Sequence, residues 1–177
     1  MSQCRILADE SRRGSVSRAL GAALAVLCFL GFGATDAASQ ELLRNRFTGS
    51  ASCLDILNDG QNDKLRLTRC GNFSGQQWIV ARRSDGTFQF RTEFTGQNRC
   101  LDIINDGQNN RLRMAPCANV TGQQWIIISE NNDLRLKTRF TGPSLCLDVV
   151  NEGQNDRVQM ATCGNFSGQL WSLTDVP

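Results

Sequence analysis

Three aspartates recur in one context: Asp55, Asp102 and Asp148 each stand two places after a cysteine, within the string C-L-D. A carboxylate so placed can accept hydrogen bonds, exchange a proton or ligate a metal. Proton transfer needs a partner group, and the chain contains no histidine and no tyrosine. Ser74 in G-N-F-S-G stands one place too late for the G-x-S-x-G nucleophile elbow. Glycoside hydrolysis requires two carboxylates about 5 to 10 Å apart, whereas each recurrence supplies one. An enzyme is therefore not expected. Nor is a metal or other cofactor. The two cysteines of each unit stand 17 residues apart rather than in C-x-x-C clusters. The Asn/Asp-rich stretches 58–63, 105–110 and 151–156 lack the D-x-D-x-D-G loop and distal glutamate of a calcium loop, and turn chemistry accounts for them.

Residues 1–39 differ from the rest and read as a signal peptide. Arg5, Arg12, Arg13 and Arg18 precede an uncharged apolar run from Ala19 to Ala34, and small residues follow, so that cleavage after Ala37, Ala38 or Ser39 is expected. The run is shorter than the roughly 20 residues of a membrane-spanning helix, and the mature form is not expected to insert in a membrane. Without those four arginines and the acids Asp9, Glu10 and Asp36, the 19 basic and 17 acidic residues become 15 and 14, a charge of +1. Both signs are interspersed, which argues against a nucleic-acid partner. Of the eight cysteines, Cys4 and Cys28 fall in the leader and six remain, an even number suited to disulfides in a secreted or periplasmic protein.

The remaining residues, 40–177, consist of three copies of one unit, with repeats at about 43–88, 89–135 and 136–177. Phe47, Phe94 and Phe140, or equally Cys53, Cys100 and Cys146, are offset by 47 and then 46 residues. Within each copy apolar and polar residues alternate, the pattern of half-buried strands. Leu54 and Ile56 oppose Cys53 and Asp55, while Leu65 and Leu67 oppose Arg66, Thr68 and Cys70. N-D-G-Q-N-D between them is a turn signal, so the pair reads as a hairpin. Q-Q-W-I-V then leads through Asp85-Gly86 to T-F-Q-F-R-T-E-F, a second hairpin that hands the chain to the next copy. Threefold repetition with about four strands per unit predicts an all-β chain, a β-trefoil with pseudo-threefold symmetry.

The C-L-D string, the second cysteine and Q-x-W, recurring in register three times, make each unit resemble a repeat of the ricin B-type lectin family. That resemblance spans residues 41–177. It implies a lectin β-trefoil in which Trp78, Trp125 and Trp171 pack in the shared core. It also implies disulfides within each unit: Cys53 with Cys70, Cys100 with Cys117, and Cys146 with Cys163. A cyclic pairing between repeats would respect the symmetry too, although two cysteines on one face of a hairpin favour the local closure. The family's sites further imply Asp55, Asp102 and Asp148 as acceptors of sugar hydroxyls, with Gln76, Gln123 and Gln169 of Q-x-W supporting them.

Two departures from the family pattern stand out. The aromatic residue usual two places before the second cysteine is Thr68, Ala115 or Ala161, and the asparagine usual before the Q-x-W glutamine is Gly75, Gly122 or Gly168. Replacement groups lie nearby. Asn72, Asn119 and Asn165 stand four residues before the glutamine, Asn58, Asn105 and Asn151 open the hairpin turn, and Phe73 and Phe166 offer apolar platforms where the second repeat has Val120. The expected function is glycan or glycoconjugate binding through one shallow site per repeat, best in repeats 1 and 3. The alternative is a sugar-silent trefoil serving as a protein-interaction, toxin-delivery or inhibitor module.

Overall fold

A computed structural model describes residues 39–176; the leader expected over residues 1–39 lies, but for Ser39, outside the described residues. Twelve strands follow one another: β1 (Gln40–Asn45), β2 (Gly49–Ile56), β3 (Leu65–Arg69), β4 (Gln77–Arg82), β5 (Phe88–Thr92), β6 (Arg99–Ile103), β7 (Leu112–Pro116), β8 (Trp125–Glu130), β9 (Asp133–Thr138), β10 (Leu145–Val149), β11 (Val158–Thr162) and β12 (Trp171–Asp175). Among the described residues the only helical pieces are 3-10 turns at Thr121–Gln123 and Ser167–Gln169.

Each repeat contributes its first and fourth strand to a barrel and its second and third to a hairpin. The barrel runs β1-β4-β5-β8-β9-β12, and β12 pairs with β1 to close it. Closure removes the unpaired edges of an open sheet. The hairpins are β2–β3, β6–β7 and β10–β11. A ring of backbone hydrogen bonds ties them together: Leu67 N–H donates to Asp156 at 2.7 Å, Met114 to Asp63 at 2.8 Å and Met160 to Asn110 at 2.7 Å. Such a ring needs all three repeats. Their turns carry the positive φ expected of them, at Asn62, Asn109 and Asn155 and at Gly60, Gly107 and Gly153.

The core follows from the alternation of the strands. Five triplets of equivalent residues are buried together: Trp78, Trp125 and Trp171; Leu54, Leu101 and Leu147; Ile56, Ile103 and Val149; Leu67, Met114 and Met160; and Leu43, Phe90 and Leu136. Each buried indole still has a partner, because its N–H donates to the carbonyl of Leu54, Leu101 or Leu147 at 2.8, 3.0 and 2.9 Å. That bond joins barrel to hairpin within a repeat. Phe90 breaks the threefold identity and sits edge-on to Trp78 and Trp125. The disulfides are the local ones, Cys53–Cys70, Cys100–Cys117 and Cys146–Cys163, with Cα atoms 5.0, 5.0 and 5.1 Å apart.

Candidate functional site

One cleft recurs in each repeat, outside the hairpin. Cleft 1 holds about 520 Å³ and is lined by Asp55, Asn58, Arg66, Asn72, Phe73 and Phe94, among others. Cleft 2, about 450 Å³, is lined by Asp102, Asn105, Arg113, Val120 and Phe140. Cleft 3, about 500 Å³, has Phe47, Asp148, Asn151, Gln159, Asn165 and Phe166.

The aspartate of each cleft is held from behind. Strand register places Asp55 opposite Arg66 and Cys53 opposite Thr68, so acid, arginine, threonine and disulfide share one face. Asp55 Oδ1 accepts the Ile56 N–H at 2.8 Å, and Oδ2 accepts Thr68 Oγ1 at 2.9 Å and Gln76 Nε2 at 3.0 Å. Asp102 and Asp148 accept Gln123 and Gln169 in the same way, at 3.2 and 2.9 Å. Ala115 and Ala161 stand where Thr68 stands in repeat 1, so these two carboxylates receive no hydroxyl there.

The glutamines of Q-x-W do not reach the cleft surface. Gln76, Gln123 and Gln169 are at most 1% exposed. Gln76 Oε1 accepts the Gly71 N–H at 2.9 Å, while its Nε2 also donates to the Arg69 carbonyl at 3.0 Å. A primary amide committed at both ends fixes its neighbour's rotamer. The glutamine thus positions the aspartate.

The glycine before each of these glutamines also belongs to the arrangement. A Cβ on Gly75 would fall 2.3 Å from Oδ1 of Asp55, and the same approach recurs at Gly122 and Gly168. An asparagine in that position would occupy the space of the carboxylate. The glycine and the carboxylate position are therefore matched in this chain.

Phe73 and Phe166 are each 60% exposed, as apolar platforms at the surface would be. Each ring lies over a glycine, Gly71 or Gly164, where a Cβ would come within 2.4 Å of it. Repeat 2 has Ala118 at that position and Val120 in place of the ring.

The asparagines divide. Asn58, Asn105 and Asn151 line their clefts, as do Asn72 and Asn165. Asn119 accepts from Gln124 Nε2 at 2.9 Å, as Asn72 does from Gln77, but also from Arg83, and it does not line cleft 2.

Two sets of lining residues were not assigned from the sequence. Phe94, Phe140 and Phe47 each belong to the repeat that follows the cleft they line, and for Phe47 that succession runs from the last repeat to the first. Their recurrence in register was visible, but their destination depends on barrel closure. Arg66, Arg113 and Gln159 face Asp55, Asp102 and Asp148 across the hairpin. Alternation had already put Arg66 on that side, which was signal enough to find it.

Three acids of the hairpin turns are paired with nearby cations, Asp59 at the edge of cleft 1. Asp59 caps the N–H groups of Gln61 and Asn62 and pairs with Lys64, Asp106 pairs with Arg111, and Glu152 with Arg157. Among the described residues no group of three or more His, Cys, Asp or Glu is disposed to hold a metal ion, and no helix is long and apolar enough to cross a membrane.

Comparison with known proteins bears on this geometry. The family model described as "Ricin-type beta-trefoil lectin domain" matches residues 39–139 and 86–176, together all of the described residues. Curated protein sequences give no significant match. Among solved structures, the designed threefold-symmetric protein ThreeFoil is similar at a TM-score of 0.66 and 21% identity, over 77% of this chain and 99% of that one. The ricin B-like lectin of Macrolepiota procera, solved in complex with lactose, is similar at 0.64 and 18% identity, over 79% of this chain and 96% of that one. An endo-β-galactosidase of Clostridium perfringens that releases GlcNAcα1-4Gal is similar at 0.65 and 21%, over 78% of this chain but only 33% of the enzyme. At these identities the likeness establishes the fold.

Proposed function

This chain belongs to the ricin-type β-trefoil lectin domain family, and from that premise we propose that it is a secreted or periplasmic carbohydrate-binding protein with one shallow cleft per repeat. The observation that carries the proposal is the combination in cleft 3. Asp148, braced by a fully buried glutamine, shares that cleft with the exposed ring of Phe166. A sugar presents hydroxyl donors on its edges and an apolar face of C–H groups, which match a rigid acceptor beside an aromatic plane. The family relative solved with lactose supports the ligand class. Three disulfides support an oxidising compartment.

Binding rather than catalysis fits the clefts. Clefts 2 and 3 are each lined by one carboxylate, and the second one in cleft 1, Asp59, is tied to Lys64. A glycosidase requires a pair with separate roles.

A sugar-silent interaction module has one observation in its favour: Thr68 and Gln76 occupy the oxygen of Asp55 that would otherwise receive a hydroxyl. A glycan array probed with the oxidised mature protein decides between the readings. Binding displaced by free sugar supports the lectin; an empty array together with specific capture of a protein partner supports the module.

A further inference from the structure

One of the positions at which the three clefts differ carries a charge in two of them. Opposite the aspartate stands Arg66 in cleft 1 and Arg113 in cleft 2, but Gln159 in cleft 3. Residues paired directly across an antiparallel hairpin have Cβ atoms about 5 Å apart, so a ligand touching one side chain meets the other.

The two arginines are unclaimed. Both are exposed, and neither forms an ion pair or a side-chain hydrogen bond among the described residues. The turn cations beside them are bound, Lys64 to Asp59 and Arg111 to Asp106; Arg69 is unpaired as well among the described residues but does not line the cleft. Asp55 does not consume Arg66 either, because the Ile56 N–H, Thr68 and Gln76 already satisfy its carboxylate. The five N–H donors of Arg66, which lines the cleft, therefore remain available to a ligand there, and a planar guanidinium pairs well with an oxyanion such as a carboxylate or a sulfate.

Cleft 3 has the opposite character. No cation lines it, and Asp148 has Ala161 where Asp55 has Thr68. Its carboxylate keeps acceptor capacity for sugar hydroxyls and would repel an anion. Cleft 2 combines Arg113 with an aspartate that lacks the hydroxyl.

We propose that, within the glycan-binding reading on which this rests, clefts 1 and 2 take sugars bearing an anionic substituent through Arg66 and Arg113, whereas cleft 3 takes neutral sugars. Arg66 and Arg113 are the specificity-determining residues. A uronate carboxylate and a sulfate ester offer the same chemistry to a guanidinium, and separate ligands distinguish them.

The test titrates the oxidised mature protein with one oligosaccharide backbone in three forms: neutral, uronate-bearing and O-sulfated. Arg66→Gln combined with Arg113→Gln is expected to weaken binding of an acidic form at least tenfold, while cleft 3, which neither residue lines, keeps its affinity for the neutral form. Gln159→Arg is expected to add an acidic site in cleft 3. Acidic binding should also weaken between 50 and 500 mM salt while neutral binding does not, a contrast expected of exposed charges. The uronate and sulfate arms show which substituent the guanidinium takes. Unchanged thermal midpoints in the variants confirm that folding is intact. Neutral binding without acidic preference, or acidic binding indifferent to the double substitution, overturns this proposal alone. Binding of none of the three forms overturns the glycan-binding reading with it.

Discussion

Gly75 lies so close beneath Asp55 that a methyl group on its Cα would come within 2.3 Å of the aspartate Oδ1. The carboxylate cannot swing aside freely, because Ile56, Thr68 and Gln76 all donate to it. Backbone atoms of Ile56 would also lie 3.3 Å from the added carbon. Gly75→Ala should therefore cost about 1–3 kcal/mol of stability, the range for overpacking a closed site. Denaturant unfolding measures it, and an unchanged midpoint would show that the aspartate is held less firmly than its hydrogen bonds indicate.

Site and scaffold should separate between Asp148 and Trp125. Asp148→Ala removes an acceptor but leaves Gln169 Nε2 its bond to the Thr162 carbonyl at 2.9 Å, so stability should fall by only about 1 kcal/mol. Neutral-glycan affinity should drop at least tenfold, about 1.4 kcal/mol. Trp125→Ala empties a fully buried site and should cost about 3–5 kcal/mol of folding stability. Paired calorimetric titration and thermal unfolding read both. If Asp148→Ala unfolds as badly as Trp125→Ala, the aspartate is a brace and not a site.

Phe166 offers the complementary comparison, since its ring is 60% exposed. Phe166→Ala is expected to stay within about 0.5 kcal/mol of the parent in stability, as substitutions outside the core do, while weakening glycan binding several-fold. A large loss of stability with binding intact would make the ring a structural cover for Gly164.

Acid should loosen the hairpin turns. Hydrogen bonding from Lys64, and then from the Asn62 N–H, holds the Asp59 carboxyl at about 2 against an ordinary 3.8. Asp106 is lowered as well, first by the Asn109 N–H and then by Arg111. A value depressed in the folded state stabilises above the unfolded value and is lost as pH falls through the folded one. The Asp59 contribution should thus be complete above about pH 4 and disappear toward about pH 2. Thermal midpoints measured from pH 7 to pH 2 test this, with Asp59→Asn expected to flatten part of the acid slope. A profile that Asp59→Asn leaves identical would remove the turn from the explanation.

Much of the architecture is local enough to be written in the chain. Alternation with period two follows from the pleat of a strand, so Leu54, Ile56 and Leu67 share the core face and Cys53, Asp55, Arg66 and Thr68 the opposite one whatever else the chain does. The Asn-Asp-Gly turns needed only the tolerance of those residues for positive φ. Self-similarity supplied the threefold plan, because no single unit can bury its own apolar face. The aspartates, the cleft asparagines and Phe73 and Phe166 were legible for the same reason, as repeated positions on a known face.

What the tertiary structure decided involves residues that no period connects. Whether the glutamine of Q-x-W touches ligand or braces Asp55 depends on how the loop after β3 folds over it, which buries Gln76 completely. The seat of the Phe73 ring depends on Gly71, where a Cβ would come within 2.4 Å of it. Asn119, outside its cleft, differs from Asn72 in accepting from Arg83 as well as from the following glutamine. Phe47 reaches the cleft of the last repeat because β1 pairs with β12 to close the barrel. That pairing joins the two ends of the domain, and a contact between distant ends depends on the balance of the whole core rather than on any local propensity.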